Sequence, residues 1–91
     1  MDIYSSIVNT IIKQQTSIIG PIALSQAKMV AGIHFSDEGS ADLQGDPKLV
    51  LDELVKKYEK LFGKASIEVC KDAVRELIPP VSPDILPDIL K

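Results

Sequence analysis

Aromatic residues are scarce in this chain: Tyr4, Phe35, Tyr58 and Phe62 are the full set among 91 residues, and there is no tryptophan. The large rings that commonly anchor a small core are few, so the core has to be aliphatic. Cysteine and histidine occur once each, as Cys70 and His34. One cysteine cannot close an intramolecular disulfide, and with one histidine a zinc cluster or a Ser-His-Asp relay would need residues from a second chain. That cysteine usage fits a reducing, cytoplasmic setting. Long apolar runs are also missing. The longest uncharged stretches, Ile3 to Ile12 and Gln14 to Ala27, are short and carry several polar residues, while Asp2 stands where a leader would be basic. Neither a membrane-spanning helix nor a signal peptide is expected. Nor is there an excess of positive charge: a net charge of −3 and a pI near 5.0 disfavour nucleic acid as a partner.

A hydrophobic content of 45% places the chain with globular proteins. Its length allows one domain, expected over 1–78 with a proline-rich tail at 79–91. Small domains bury proportionally little surface, and an aliphatic one of this size is expected to complete its burial as a homodimer or against another protein.

The organising feature is a breaker between apolar runs that occurs twice, as Ile18-Ile19-Gly20-Pro21-Ile22-Ala23-Leu24 and as Leu61-Phe62-Gly63-Lys64-Ala65-Ser66-Ile67. At an offset of 43, Gly20 meets Gly63, Lys13 meets Lys56 and Lys28 meets Lys71. Ile7, Val8, Ile11, Ile12, Ile18, Ile19, Leu24, Ala27 and Val30 then fall on Val50, Leu51, Leu54, Val55, Leu61, Phe62, Ile67, Cys70 and Ala73. Two readings account for this: an internal repeat, whose copies should pack on each other, or two amphipathic helix pairs of similar geometry without common origin.

Within the first unit, Ile3, Tyr4, Ile7, Val8, Ile11, Ile12, Ile18 and Ile19 recur at helical spacing, with Asp2 as a cap. Their β-branching favours strands, but adjacent apolar pairs four apart fit only a helix. Gly20 ends the run, and Pro21 suits the start of a second helix that should close near Ala31-Gly32, burying Ala23, Leu24, Ala27, Val30 and Ala31. The apolar stripe rotates across each glycine, so each marks a break or bend. At Gly63 a kinked helix running from Pro47 to Leu77 is the alternative.

Between the units, Ile33 to Ser36 and Ser40 to Gln44 flank Asp37-Glu38-Gly39 and read as a short hairpin with Gly39 at positive φ. A calcium loop does not fit: counted from Asp37, the third and fifth positions are Gly39 and Ala41, and the sixth is Asp42 where glycine is required. His34, between Ile33 and Phe35, should point outward. Asp46-Pro47 is the strongest local signal, an N-cap followed by proline at the first helical position. Leu51, Leu54, Val55, Tyr58, Leu61 and Phe62 form the expected buried stripe of that helix, with Asp52-Lys56 and Glu53-Lys57 as acid-before-base pairs on its wet side. The last helix should bury Val69, Cys70, Ala73, Val74 and Leu77 and end at Pro79-Pro80. Cys70 reads as a small core residue. The tail repeats Pro83-Asp84-Ile85-Leu86 as Pro87-Asp88-Ile89-Leu90, either a flexible end or a strap across this domain or a neighbouring subunit.

The expected fold is therefore mainly α: two helix–Gly–helix units joined by a hairpin-like loop and followed by the proline-rich tail. With no convergent catalytic constellation and no cofactor motif, an enzyme is the least favoured class. The expected function is protein–protein interaction, as a dimerisation, adaptor or regulatory module. Its core or interface anchors are Ile7, Ile11, Ile18, Leu54, Leu61 and Phe62, and Ile85, Leu86, Ile89 and Leu90 form a docking tail. Two alternatives differ in class. A bundle of aliphatic helices can enclose an apolar ligand. If a helix runs through Gly63, Lys56, Lys60, Lys64, Lys71 and Arg75 share one side that could meet nucleic acid or another anionic partner.

Overall fold

Asp46 caps the helix that begins at Pro47. Its carboxylate accepts hydrogen bonds from the backbone N–H of Lys48 at 3.0 Å and of Leu49 at 3.4 Å, and Pro47 follows at the first helical position. Two of the N–H groups left open at a helix start are thereby satisfied. In the computed structural model, which describes residues 3–37, 39–77 and 80–91, the order is α1 (Ile3–Ile19), α2 (Ile22–Lys28), β1 (Ile33–Phe35), β2 (Ala41–Leu43), α3 (Pro47–Phe62) and α4 (Ala65–Arg75). Two single 3-10 turns, Pro83–Ile85 and Asp88–Leu90, follow in the tail. The expected Asp2 cap, Glu38 of the hairpin turn, Pro79 and the 78/79 domain boundary lie outside the described residues.

The protein is mainly helical with one small antiparallel sheet. α1 packs on α4 and α3 on α4, while α2 lies between α1 and α3. Ile7, Val8, Ile11, Leu51, Leu54, Val55, Tyr58, Ala23, Ala27, Cys70 and Ala73 have no exposed surface and fill the space between them. The one fully buried aromatic ring is Tyr58, so the core is built from aliphatic contacts, whose summed dispersion and transfer energies replace the usual rings.

Both glycine positions interrupt the helices. Gly20 lies at φ 79° between α1 and α2, and Gly63 at φ 83° and ψ −175° between α3 and α4, so the chain breaks at Gly63 where a kinked helix was the alternative. α2 ends at Lys28, short of the expected Ala31-Gly32, because Met29 and Val30 tighten into N–H bonds to the carbonyls of Gln26 and Ala27. Leu24, in the first turn of α2, and Ala31, beyond its end, are exposed, although periodicity places both in the buried stripe. Gly32 makes the approach that ends the segment. At φ 92° a β-carbon there would stand 2.7 Å from Val50 Cγ2 and 2.9 Å from the Gln44 carbonyl oxygen. Only glycine fits both that backbone and that gap.

The hairpin pairs Ile33 with Leu43, His34 with Asp42 and Phe35 with Ala41. Ile33 and Ala41 face the core and His34 faces solvent. Asn9 of α1 holds the free edge of β2, donating from Nδ2 to the Ala41 carbonyl at 2.9 Å and accepting the Ala41 N–H on Oδ1 at 2.8 Å. The tail lies along α3 and α4. Each Pro-Asp-Ile-Leu makes one turn, closed by Leu86 N–H to the Pro83 carbonyl and by Leu90 N–H to the Pro87 carbonyl. Leu86 and Leu90 are buried in the main core, and the Tyr4 hydroxyl donates to the Ile85 carbonyl at 3.0 Å. A flexible end is therefore not what the chain forms. Proline sets the turn, and the fourth residue of each repeat points inward.

Candidate association surface

Two buried polar side chains join the halves of the bundle. Gln15 on α1 donates from Nε2 to the Ser66 carbonyl at 3.1 Å and to Cys70 Sγ at 3.3 Å, both on α4. Tyr58 on α3 donates from its hydroxyl to the Ala23 carbonyl of α2 at 2.8 Å. Residue 58 is residue 15 displaced by 43, and residue 66 is residue 23 displaced by 43. The two bonds thus run in opposite directions between positions matched at an offset of 43 in the sequence. The backbone around the glycines matches in the same way. Gly20 N–H bonds the Thr16 carbonyl at 2.9 Å and Gly63 N–H the Glu59 carbonyl at 2.7 Å, while Ala23 and Ser66 each bond the carbonyl of their glycine at 3.1 Å.

Gln15 and Tyr58 lie about one turn before their glycines, and Ser66 and Ala23 three residues after them. Their bonds therefore hold the two glycine turns together at one end of the bundle. Burial stops there. Ile18 is 62% exposed, Leu61 48% and Phe62 40%, and Ile22, two residues after Gly20, is exposed too. Leu61 and Phe62 belong to the stripe that periodicity buries, but in the last turn of α3 both are exposed, as Ile18 is in the last turn of α1. The six anchors thus divide: Ile7, Ile11 and Leu54 are core, and Ile18, Leu61 and Phe62 are surface.

The other sites take different positions. Leu86 and Leu90 of the tail are buried and Ile85 and Ile89 half-buried, all against this chain's own core. The break at Gly63 divides the basic side chains: Lys56 and Lys60 line a cleft with Met29, whereas Lys71 and Arg75 line a groove of about 410 Å³ with Val81, Leu86 and Leu90 of the tail. Arg75 pairs with Asp72 at 3.0 Å and Lys71 with Glu68 at 3.6 Å. Lys64 is exposed at the Gly63 turn.

Cys70 is fully buried, and burial pushes its thiol up to about 11 against a smaller opposing effect of the Gln15 hydrogen bond. It is therefore a thiol, not a thiolate, at neutral pH. Burial likewise pushes the Tyr58 hydroxyl upward. Near the hairpin, Ser5 Oγ donates directly to Asp42 Oδ1 at 2.6 Å, and the Leu43 N–H reaches the same oxygen at 3.0 Å. These bonds, the Ser5 hydroxyl foremost, hold the Asp42 carboxyl below its ordinary range. Because Ser5 meets the carboxylate without His34 between them, the three do not form a proton relay.

Among the described residues no three His, Cys, Asp or Glu side chains gather into a metal-holding group, and no helix is long and apolar enough to cross a membrane. The clefts that these residues line measure about 370–430 Å³.

Sequence reading missed Gln15 and Ser66. The signal was available: Gln15 lies four residues after Ile11 and eight after Ile7, on the apolar stripe, and a polar group there needs a buried partner. Comparison with known proteins adds nothing to this geometry, as no protein-family model, curated protein or solved structure matches the chain.

Proposed function

We propose that the chain is a protein–protein association module made of two copies of one helix–Gly–helix unit, and that it acts as a homodimer through the end where the two glycine turns meet. The observation that carries this reading is the exposure of Ile18, Ile22, Leu61 and Phe62 around turns fixed by the Gln15 and Tyr58 bonds. Contiguous apolar surface left open by a small domain marks a contact site. Duplication is supported by the matched hydrogen bonds and by matched burial. Ile7, Val8, Ile11, Ile12, Ala27 and Val30 are buried and so are their partners at offset 43, while Ile18 and Leu61 are both exposed.

A surface whose residues recur at offset 43 suits a second copy, since a contact made by Ile18 is available again at Leu61. The buried, unreactive Cys70 supports a role in a reducing compartment such as the cytoplasm, as a dimerisation, adaptor or regulatory subunit. The test is light-scattering mass on a size-exclusion column through a dilution series, for the native chain and for Ile18→Lys/Leu61→Lys. The expected result is twice the 9.9 kDa chain mass for the native protein and the single-chain mass for the variant. A native chain that runs as a monomer at every concentration overturns the homodimer.

A further inference from the structure

Lys57 and Lys60 lie on the second half of α3, Lys60 in its last turn. The cleft they share with Lys56, Glu53, Met29, Val30 and Ala31 measures about 410 Å³ and runs between the end of α2 and the middle of α3. Lys56 is engaged by Asp52 at 2.8 Å, outside the cleft lining. Lys57 and Lys60 form no ion pair among the described residues, so the Glu53-Lys57 pair expected from spacing is not made. Lys57 is half-buried. Met29 at the mouth is 65% exposed.

The geometry points to a docking site for an acidic amphipathic helix of another protein. With Lys56 compensated by Asp52, Lys57 and Lys60 against Glu53 leave this cleft positive on a chain whose net charge is −3, so complementarity selects an acidic partner. Lys57 and Lys60 are three apart on one helix face, about 5–6 Å between β-carbons, which matches carboxylates one turn apart on a facing helix. Met29, unbranched and adaptable, with the exposed Ala31, provides apolar contact for a leucine or isoleucine between those carboxylates. No aromatic ring lines the cleft to stack on bases, which favours protein over nucleic acid.

The probe is a labelled model peptide with glutamates at i and i+4 and leucines on the adjoining positions, titrated by fluorescence anisotropy into the full chain at physiological salt. Lys57→Glu/Lys60→Glu should weaken binding by about tenfold or more, and Met29→Ser by about threefold, with circular dichroism and light-scattering mass unchanged. A peptide retaining the glutamates but with serine for leucine should bind at least about tenfold more weakly. Failure of the native chain to bind the peptide, or binding indifferent to Lys57 and Lys60, overturns the proposal. So does equal or tighter binding of a single-stranded oligonucleotide with the same lysine dependence, which would identify a general polyanion site.

Discussion

The hairpin and the tail cover corresponding places on the two halves of the bundle by different means. β2 lies on the first turns of α1, beside Ser5 and Asn9, while β1 meets α2. At offset 43 those α1 positions become Lys48 and Asp52, and it is there, with Asp46 and Leu49, that α3 faces Leu86, Pro87, Asp88 and Lys91 of the tail. The second tail turn meets α3 and α4 as the hairpin meets α1 and α2. Lys28 lies 6.0 Å from the centre of the Phe35 ring in the hairpin, and its counterpart Lys71 lines the groove beside the tail. The hairpin covers α1 and α2, and the second tail turn covers α3 and α4. One covering is a strand held in register by side-chain bonds to its backbone. The other is a strap of leucines with one hydrogen bond from Tyr4. Directional bonds fix a covering in one position, whereas apolar burial grades with area.

The largest expected effect is at the junction of α2 with the hairpin. Gly32→Ala combines left-handed backbone strain with a β-carbon 2.7 Å from a branched side chain and 2.9 Å from backbone, neither of which can swing away. A loss of about 3–5 kcal/mol in denaturant unfolding is expected. Next is the strap: Leu90→Ala should cost about 2–4 kcal/mol by emptying a buried site, and Leu86→Ala a similar amount. If the tail holds by area alone, each loss should track the apolar area removed, and Tyr4→Phe should add only about 1 kcal/mol for its one bond. An effect of Tyr4→Phe larger than that of Leu90→Ala would erase the contrast between strap and hairpin.

Alkaline pH separates the units through one atom. Ala27 of α2 corresponds to Cys70 of α4, whose folded thiol is pushed to about 11 from an ordinary 9.0. The unfolded chain releases that proton first, so stability is complete below pH 9 and falls as pH rises towards 11. At most about 2–3 kcal/mol is lost through this group. Cys70→Ala makes the two positions alike and should flatten the midpoint-against-pH curve between pH 9 and 10, with the buried Tyr58 hydroxyl steepening both curves above its ordinary 10.0.

Much of the architecture was readable from local chemistry. Asp46-Pro47 marks a helix start through capping, and the spacing of Ile7, Ile11, Leu51 and Leu54 marks buried faces, because these signals act within one turn. The exposure of Ile18, Leu61 and Phe62 was not readable, since whether a stripe stays covered depends on where a neighbouring helix ends. The division of the lysines depended on Gly63 breaking its helix, which a glycine without a following proline leaves open. The placement of the tail rests on Leu86 and Leu90 finding α3 and α4, a long-range match that no window of sequence contains.

The smallest effects give the sharpest comparison. A β-carbon at Gly20 or at Gly63 would meet nothing within 4 Å, so Gly20→Ala and Gly63→Ala each carry only a backbone cost, at φ 79° and at φ 83° with ψ −175°, the latter a conformation essentially confined to glycine. That cost is about 1–3 kcal/mol each. If the halves are copies of one unit, both variants should lose the same amount within a few tenths of a kcal/mol in urea unfolding. They should also add in the double variant only to the extent that the Gln15 and Tyr58 bonds leave the two turns independent. A marked inequality would mean that the two turns have diverged in what they support. A double variant less destabilised than the sum would show that opening one turn already releases the other, as expected where each half holds the other's glycine end.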